Sequence, residues 1–376
     1  IQVDYRTADL ALVREINLAI ILNYLRANSP LSRAQLAAMT GLNKTTVSSL
    51  VSELIEGRYV REAGQNHVGS GRPAVLLELN PDAGCIIGVE IRLDYVTVIL
   101  TDFTARVLRR YQQPIHGVNQ EESIATALDM TQTLWQACPS GVPILGIGVA
   151  IPGLMDEKQG VVLFAPNLKW HDVPLRDIFT RRFPARVVVD NDANAAAVGE
   201  RYLGAAREVD SFIYLMVGEG VGAGIFMGGR LARGVGGYAG EVGHMTMVPD
   251  GEPCNCGNRG CWETLTNTKA LLRRVHRAIS AGQSTLALEM AGGDVEQITL
   301  THVMQAAQQG DTVALTALEE TGEYLGIGIA NLLNAFNPSL VLLGGPLGMA
   351  GEFLLPAIER TVEQRALEWP RQSARV

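Results

Sequence analysis

The chain has 376 residues, 47% hydrophobic and 19% charged, which excludes a disordered protein and leaves room for two or three domains. A net charge of −8 excludes a surface coated for nucleic acid throughout, and five cysteines, three of them clustered, make no disulfide framework. No apolar run approaches the ~18 residues of a membrane span, since Asn17 and Asn23 interrupt residues 16–25. A reducing, cytoplasmic setting is expected, and a native start upstream of Ile1.

The charge is uneven. Residues 1–80 carry eight Lys/Arg (positions 6, 14, 26, 33, 44, 58, 61, 72) and seven Asp/Glu (4, 9, 15, 53, 56, 62, 78), a net of +1, which leaves −9 for the remainder. A near-neutral head on an acidic body fits a small DNA-reading module joined to something else.

Periodicity predicts a first helix over about 10–26, with Val13, Ile16, Ile20 and Tyr24 inward. Pro30 breaks the chain. Ser32 and Gln35 form a capping-box pattern for a short second helix, with Leu36 and Met39 inward. After the turn at 40–42, Val47, Leu50, Val51, Leu54 and Ile55 mark a third helix, which Gly57 ends. Its other face is small and polar. In helix-turn-helix modules that N-terminal end enters the major groove, so Arg33, Asn43, Lys44, Thr45, Thr46, Ser48 and Ser49 are the candidate DNA contacts. Strands at 59–62 and 74–79 flank a glycine-rich loop, 64–72, which reads as a wing. Arg72 at its tip suits a narrow minor groove. Taken alone, such a helical unit also serves protein contacts, and Gly-Arg-Pro is also an ordinary turn.

Beyond residue 82 strands alternate with helices. A meander at 85–90, 95–101 and 107–112 is followed by a helix at 121–136. Strands at 145–150 and 184–190 come next, the latter ending in Asn191-Asp192 at a helix start. The pattern restarts with strands at 212–217 and 222–227. Helices follow near 267–279, 300–308 and 312–336, then a strand at 340–343. Two successive mixed lobes predict a cleft between them, where small ligands bind. The units are 1–82, 83–190 and 191–376. The helix over 312–336 serves either as a dimer element or as plain core.

The densest chemistry lies between Glu241 and Glu263. His244, Cys254, Cys256 and Cys261 make a full tetrahedral ligand set for zinc, with Gly257 and Gly260 allowing a tight turn. With all four positions filled by protein, the expected role is structural. Glu241 and Glu263 flank the set without being needed by it.

Gly146-Ile-Gly-Val-Ala-Ile-Pro152-Gly153, Asn191-Asp192-Ala-Asn-Ala, Glu241-x-Gly-His244 and Cys254-x-Cys256-Gly-x-x-Gly-Cys261 together resemble the ROK family, which groups sugar-sensing repressors with sugar kinases. The similarity spans nearly the whole chain and is strongest to the family's xylose repressors. It implies a winged helix-turn-helix followed by a two-lobed, actin-like sugar-kinase fold of the α/β class. It also implies sugar contacts at Gly153, Asn191, Asp192, Glu241, His244 and Glu263. Carboxylates suit a sugar because each accepts from more than one hydroxyl. One ring nitrogen of His244 can take zinc while the other faces a hydroxyl. The family pattern continues past Val376 with a final strand and helix.

In the family's kinases the residue at Asp192's position is the base on the sugar hydroxyl, so catalysis has to be weighed. Kinases of the family cradle phosphate with Asp-x-Gly-Gly-Thr, where this chain has Glu90-Ile-Arg92-Leu93-Asp94. Without the two glycines the backbone cannot approach phosphate closely, and Asp94 is expected to set a negative charge there. The second phosphate loop, Gly-Thr-Gly in the family, is Gly218-Glu219-Gly220, and the late triple-glycine turn is Gly344-Gly345-Pro346. Like charges ~4 Å apart cost about 4 kcal/mol at an effective dielectric of 20, roughly a thousandfold in affinity. The reading is therefore a non-enzymatic, sugar-released repressor that binds operator DNA as a dimer or dimer of dimers. Xylose is the expected inducer, otherwise glucose or N-acetylglucosamine. A divergent sugar kinase and a repressor governed by a protein partner stay open. Emptying an operator from 99:1 to 1:99 needs ~10⁴-fold preference for the released state. Two sugar sites of ~100-fold each would supply it.

Overall fold

The structure is a computed structural model that describes residues 10–66, 74–115 and 118–376. The head runs α1 (Leu10–Asn28), β1 (Leu31–Ser32), α2 (Arg33–Thr40), α3 (Lys44–Glu56), β2 (Val60–Asn66) and β3 (Ala74–Leu79). Its sheet has the order β1-β3-β2, with Leu31 opposite Leu77. The capping box forms as expected: Ser32 Oγ accepts from the Gln35 backbone N–H at 3.3 Å, and Gln35 Oε1 accepts from the Ser32 N–H at 2.9 Å. Gly41, at φ +71°, closes α2 in the left-handed region that its missing Cβ permits.

Three head residues differ from expectation. Val13 and Ile16 are 40% and 50% exposed, and the buried face of α1 is Ile21 and Leu25, flanked by Leu18 and Leu22. Met39 is 39% exposed, and Ala37 takes the inward place beside Leu36. On α3 the periodicity holds, with Val47, Leu50, Val51 and Leu54 buried and Ile55 packed at the margin. The expected wing tip, Arg72 included, lies outside the described residues.

The first lobe holds β4 (Cys85–Ile91), β5 (Tyr95–Asp102), β6 (Val107–Pro114), α4 (Gln120–Gln136), β7 (Ile144–Ile151), β8 (Leu154–Asp156), β9 (Val161–Ala165), β10 (Trp170–Val173), α5 (Leu175–Arg182) and β11 (Arg186–Asn191). Its main sheet has the order β11-β7-β4-β5-β6. The β4–β5–β6 part is antiparallel and the β4–β7–β11 part parallel. The small β10-β9-β8 sheet had no counterpart in the sequence reading.

Helix α6 (Asp192–Leu203) leads into the second lobe. That lobe comprises β12 (Phe212–Val217), β13 (Val221–Met227), β14 (Arg230–Leu231), α7 (Glu263–Thr266), α8 (Thr268–Ser280), α9 (Leu286–Met290), α10 (Leu300–Gln308), α11 (Thr312–Phe336), β15 (Leu340–Gly344), α12 (Gly351–Arg365) and α13 (Glu368–Ser373). Its sheet has the order β14-β13-β12-β15. Each lobe has its own apolar core, and α11 is a core helix of the second. Among the described residues no helix is long and apolar enough to cross a membrane.

One packing contact fixes the loop that carries the metal-type residues. Trp262 is fully buried and its Nε1 donates to the Tyr324 carbonyl of α11 at 2.8 Å. The indole fits because position 328 is glycine, where a Cβ would stand 2.0 Å from Trp262 Cζ2. Gly328→Val should therefore cost about 1–3 kcal/mol by overpacking. Urea unfolding reads this directly, and an unchanged midpoint would show that the indole has room to move.

Candidate functional site

The cleft is built from the ends of strands. β7 ends at Ile151, and Pro152-Gly153 turns the chain away with Gly153 at φ +121°. A Cβ there would stand 2.6 Å from the Phe164 carbonyl oxygen, so the turn lies flat against β9. β11 ends at Asn191, whose Oδ1 accepts from the N–H groups of Ala193 and Asn194 at 2.9 and 3.1 Å. That is an N-cap of α6. Asn191 Nδ2 donates to the Gly153 carbonyl at 3.1 Å, so two of the expected sugar residues are joined to each other. Asp192, the first residue of α6, is buried and faces the cleft. Burial pushes its carboxyl up, against the pull of Arg92 and of the Ala193 N–H.

The cleft, of about 370 Å³, draws lining residues from both lobes. All six expected sugar residues line it: Gly153, Asn191, Asp192, Glu241, His244 and Glu263. Glu263 is buried, and its Oε2 accepts from the Val221 N–H at 3.4 Å. Burial pushes Glu241 up, with His244 opposing and Asp192 and Glu263 adding to the rise. His244 stands between the acids, its Nε2 3.8 Å from Glu241 and its Nδ1 3.7 Å from Glu263.

The four expected metal ligands come together. The ligand atoms of His244, Cys254, Cys256 and Cys261 all lie within 4.8 Å of one another. Cys256 Sγ is 3.8 Å from Cys261 Sγ, and Cys254 Sγ is 3.6 Å from His244 Nδ1. A tetrahedral zinc with arms of about 2.3 Å to sulfur and 2.0 Å to nitrogen has edges of about those lengths. Burial pushes the Cys254 and Cys261 thiols up, so it takes a cation to hold them as thiolates. The donor set and spacing are compatible with a structural zinc, bound through His244 Nδ1 with Nε2 left toward Glu241.

Several cleft residues were not expected. Arg92 lines the cleft and is 8% exposed, with Nη1 3.4 Å from Glu90 and 3.7 Å from Asp192. Asp94, expected near the phosphate position, is instead exposed and absent from the lining. Pro346 packs on the turn at Gly218, where a Cβ would meet Pro346 Cδ at 2.9 Å and Arg92 Nη2 at 3.1 Å. Asn255, inside the cysteine loop, donates to Asn167 Oδ1 of the first lobe at 2.8 Å. Arg233 holds Asp190 through two bonds of 3.0 and 2.7 Å, tying the second lobe to the end of β11. An asparagine between two cysteines or a lone arginine carries no spacing signal, so these pairings are visible only in three dimensions.

On the head, Asn43 caps α3 through a 2.7 Å bond from the Thr46 N–H. Lys44, Thr45, Ser48 and Ser49 are exposed along the same helix, while Thr46 and Arg33 are half-buried. Two contacts seat the head on the body. The Tyr59 ring meets Phe103, just past β5, with centroids 5.6 Å apart. The Arg26 guanidinium lies over the Tyr202 ring, near the end of α6, at 4.4 Å.

A model described as the ROK family matches residues 86–375, and one described as the MarR family matches residues 19–67. The chain is 38% identical to the xylose repressor of Caldicellulosiruptor bescii, over 94% of this chain and 89% of that one. A solved ROK family transcriptional regulator, described as a homolog of the Escherichia coli MLC protein, superposes with a TM-score of 0.82 at 29% identity. It covers 96% of this chain and 91% of that one. A ROK family glucokinase from Streptomyces griseus, solved with glucose and AMPPNP, gives 0.69 at 34% identity over 76% of this chain and 91% of that one. Fold and site thus define a winged helix-turn-helix module carried on a two-lobed, actin-like body of sugar-kinase type. The chain belongs to the ROK family.

Proposed function

We propose that this protein is a transcriptional repressor that binds operator DNA through its head and releases it on binding a monosaccharide, with xylose as inducer. The observation that carries the reading is the gathering of Asp192, Glu241, His244 and Glu263 in one cleft of a body that bears a winged head. Acids and an imidazole at that density suit the many hydroxyls of a neutral sugar. Xylose comes from the similarity to the Caldicellulosiruptor repressor, with glucose and N-acetylglucosamine as the other candidates. Asn43, Lys44, Thr45, Ser48 and Ser49 are assigned to the major groove, with Arg33 and Thr46 in support, and Arg72 to a narrow minor groove. A dimer follows from the need to read two half-sites. The units are taken as 1–82, 83–190 and 191–376, acting in the cytoplasm.

The glucokinase likeness makes phosphoryl transfer the second reading. Two observations weigh against it. Arg92 and Pro346 both press on the Gly218 turn, and Glu219 faces the same cleft. A polyanion entering there would meet filled space and a carboxylate. Asp192 then serves as a hydrogen-bond acceptor rather than as a base.

Induction is assigned to closure of the lobes. Phe103 belongs to the first lobe, while Tyr202 rides with the second because α6 packs on β13. A Cβ at Gly224 would stand 2.3 Å from Ala197 Cβ. The head is thus seated on both lobes, and any change in their angle must turn it. A zinc held by His244, Cys254, Cys256 and Cys261 would fix the loop that aims Glu241 and Glu263. With no position left for water its role is structural.

The first test is fluorescence anisotropy of an operator fragment from the chain's own promoter region, titrated with xylose, glucose and N-acetylglucosamine, each with and without ATP. Release by one sugar, indifferent to ATP, is expected. Release requiring ATP, or turnover of ATP with any sugar, would favour the kinase, and operator binding that no sugar disturbs would favour control by a protein partner. Cys256→Ser should lower bound zinc from about one per chain, read by elemental analysis, and weaken the response to sugar. A metal-free variant with normal induction would separate the knot from the cleft. Tyr202→Ala should leave sugar affinity and sugar-free operator affinity close to wild type. It should shrink the factor by which sugar weakens DNA binding, and an unchanged factor would remove this contact from the coupling.

A further inference from the structure

Arg92 is the only lysine or arginine lining the cleft among the described residues. It projects from the turn between β4 and β5 and reaches the second lobe, with Nη1 3.8 Å from Met216 Sδ. Its partners are few for so buried a group. Nη1 donates to Glu90 at 3.4 Å, near the limit of a useful hydrogen bond. Asp192 Oδ2, at 3.7 Å, is beyond that limit. Nη2, the nitrogen nearest the Gly218 turn, has no acceptor among the described residues. A guanidinium offers five N–H donors, and those of Arg92 that no protein group takes up are not sealed in the interior but open onto the cleft, where a ligand can accept them.

The 3.7 Å between Nη1 and Asp192 Oδ2 is too long for a direct bond and short enough for a shared one. An oxygen about 2.8 Å from each atom completes a triangle with them. A hydroxyl is the group that satisfies both sides, accepting from the guanidinium through a lone pair and donating its proton to the carboxylate. A carbonyl has nothing to donate. A phosphate ester would bring its charge against Asp192, Glu90 and Glu219, with one cation to offset three anions.

We propose that Arg92 is a selecting residue of the cleft: one hydroxyl of the sugar inserts between Arg92 and Asp192, and this clamp admits a free hydroxyl and rejects its phosphate ester. The assignment rests on the sugar-binding reading above. The molecule sensed is then the free sugar and not its phosphate ester.

The test is titration calorimetry with D-xylose and its four monodeoxy analogues, lacking in turn the hydroxyls at positions 1, 2, 3 and 4. Wild type, Arg92→Met and Arg92→Lys are compared, with the fold of each variant checked by its melting temperature. Arg92→Met should bind D-xylose about ten- to hundredfold more weakly, the range for a hydrogen bond to a charged group, and Arg92→Lys should recover part of the loss. One deoxy analogue should bind wild type with a similar deficit and show no further loss with Arg92→Met. A variant that merely loosens the cleft would penalise all four analogues alike, and that result overturns the proposal. So does D-xylose binding by Arg92→Met at wild-type strength. Should the variants fail to fold, the wild-type series suffices, because a deficit under about threefold for every analogue also overturns it. Absence of heat with D-xylose, D-glucose and N-acetylglucosamine on wild type would instead remove the sugar reading, and this inference with it.

Discussion

The cleft hangs on three consecutive residues where β11 becomes α6. Asp190 is gripped by both terminal nitrogens of Arg233. Asn191 satisfies the first free N–H groups of α6 and also holds the Gly153 turn. Asp192 is then delivered into the cleft from the first position of a capped helix. Helix ends otherwise leave their N–H groups unpaired, so the cap makes the direction of Asp192 a property of the backbone rather than of one flexible side chain. Gly153 and Arg92 lie against this point, and Glu241 and Glu263 line the facing wall.

The opposite wall has little regular structure to hold it. Between β14 and α7 the chain has only a short 3-10 turn at Val242–His244 and isolated bridges. Its order comes from two other sources. The four ligand-bearing side chains converge on one point, and Trp262 anchors the strand of residues between Cys261 and Glu263 into α11. A loop that carries two carboxylates into one cleft would otherwise tend to splay them apart through their mutual repulsion. Convergent cysteines and a buried indole offset that tendency from behind.

Much of this was legible in the chain. Where local chemistry decides an outcome, the sequence carries it: the Ser32–Gln35 box, the stripe on α3, the cap at Asn191, and the cysteine spacing with glycines at the turns. Helix α1 buries a different face from the expected one because it is apolar on most sides. Val13, Ile16 and Ile20 make as good a stripe as Leu18, Ile21 and Leu25, and only packing against α2, α3 and β3 chooses between them. Asp94 is the residue that the sequence marks as the repulsive charge at the phosphate position, while Arg92, two residues before it, carries no signal of its own. The sharp β4–β5 turn sends the arginine inward and leaves the aspartate outside. A two-residue difference in which side a turn faces has no periodic signature. The β8–β10 sheet leaves no signal in the sequence because strands of three to five residues are too short to show alternation.

The seating of the head on two lobes has a geometric consequence. Tyr202 stands ten residues along α6 from Asp192, about 15 Å at 1.5 Å per residue. With the junction at Asp190–Asp192 as pivot, α6 is a lever arm whose far end supports Arg26. A rotation of about 15°, of the size that rigid-body switches use, swings that end by about 4 Å. The rise of one base pair is about 3.4 Å. Under the induction by closure proposed above, the seat of Arg26 would shift by about one step of the DNA ladder, the scale on which two reading helices fall out of register with a fixed pair of half-sites.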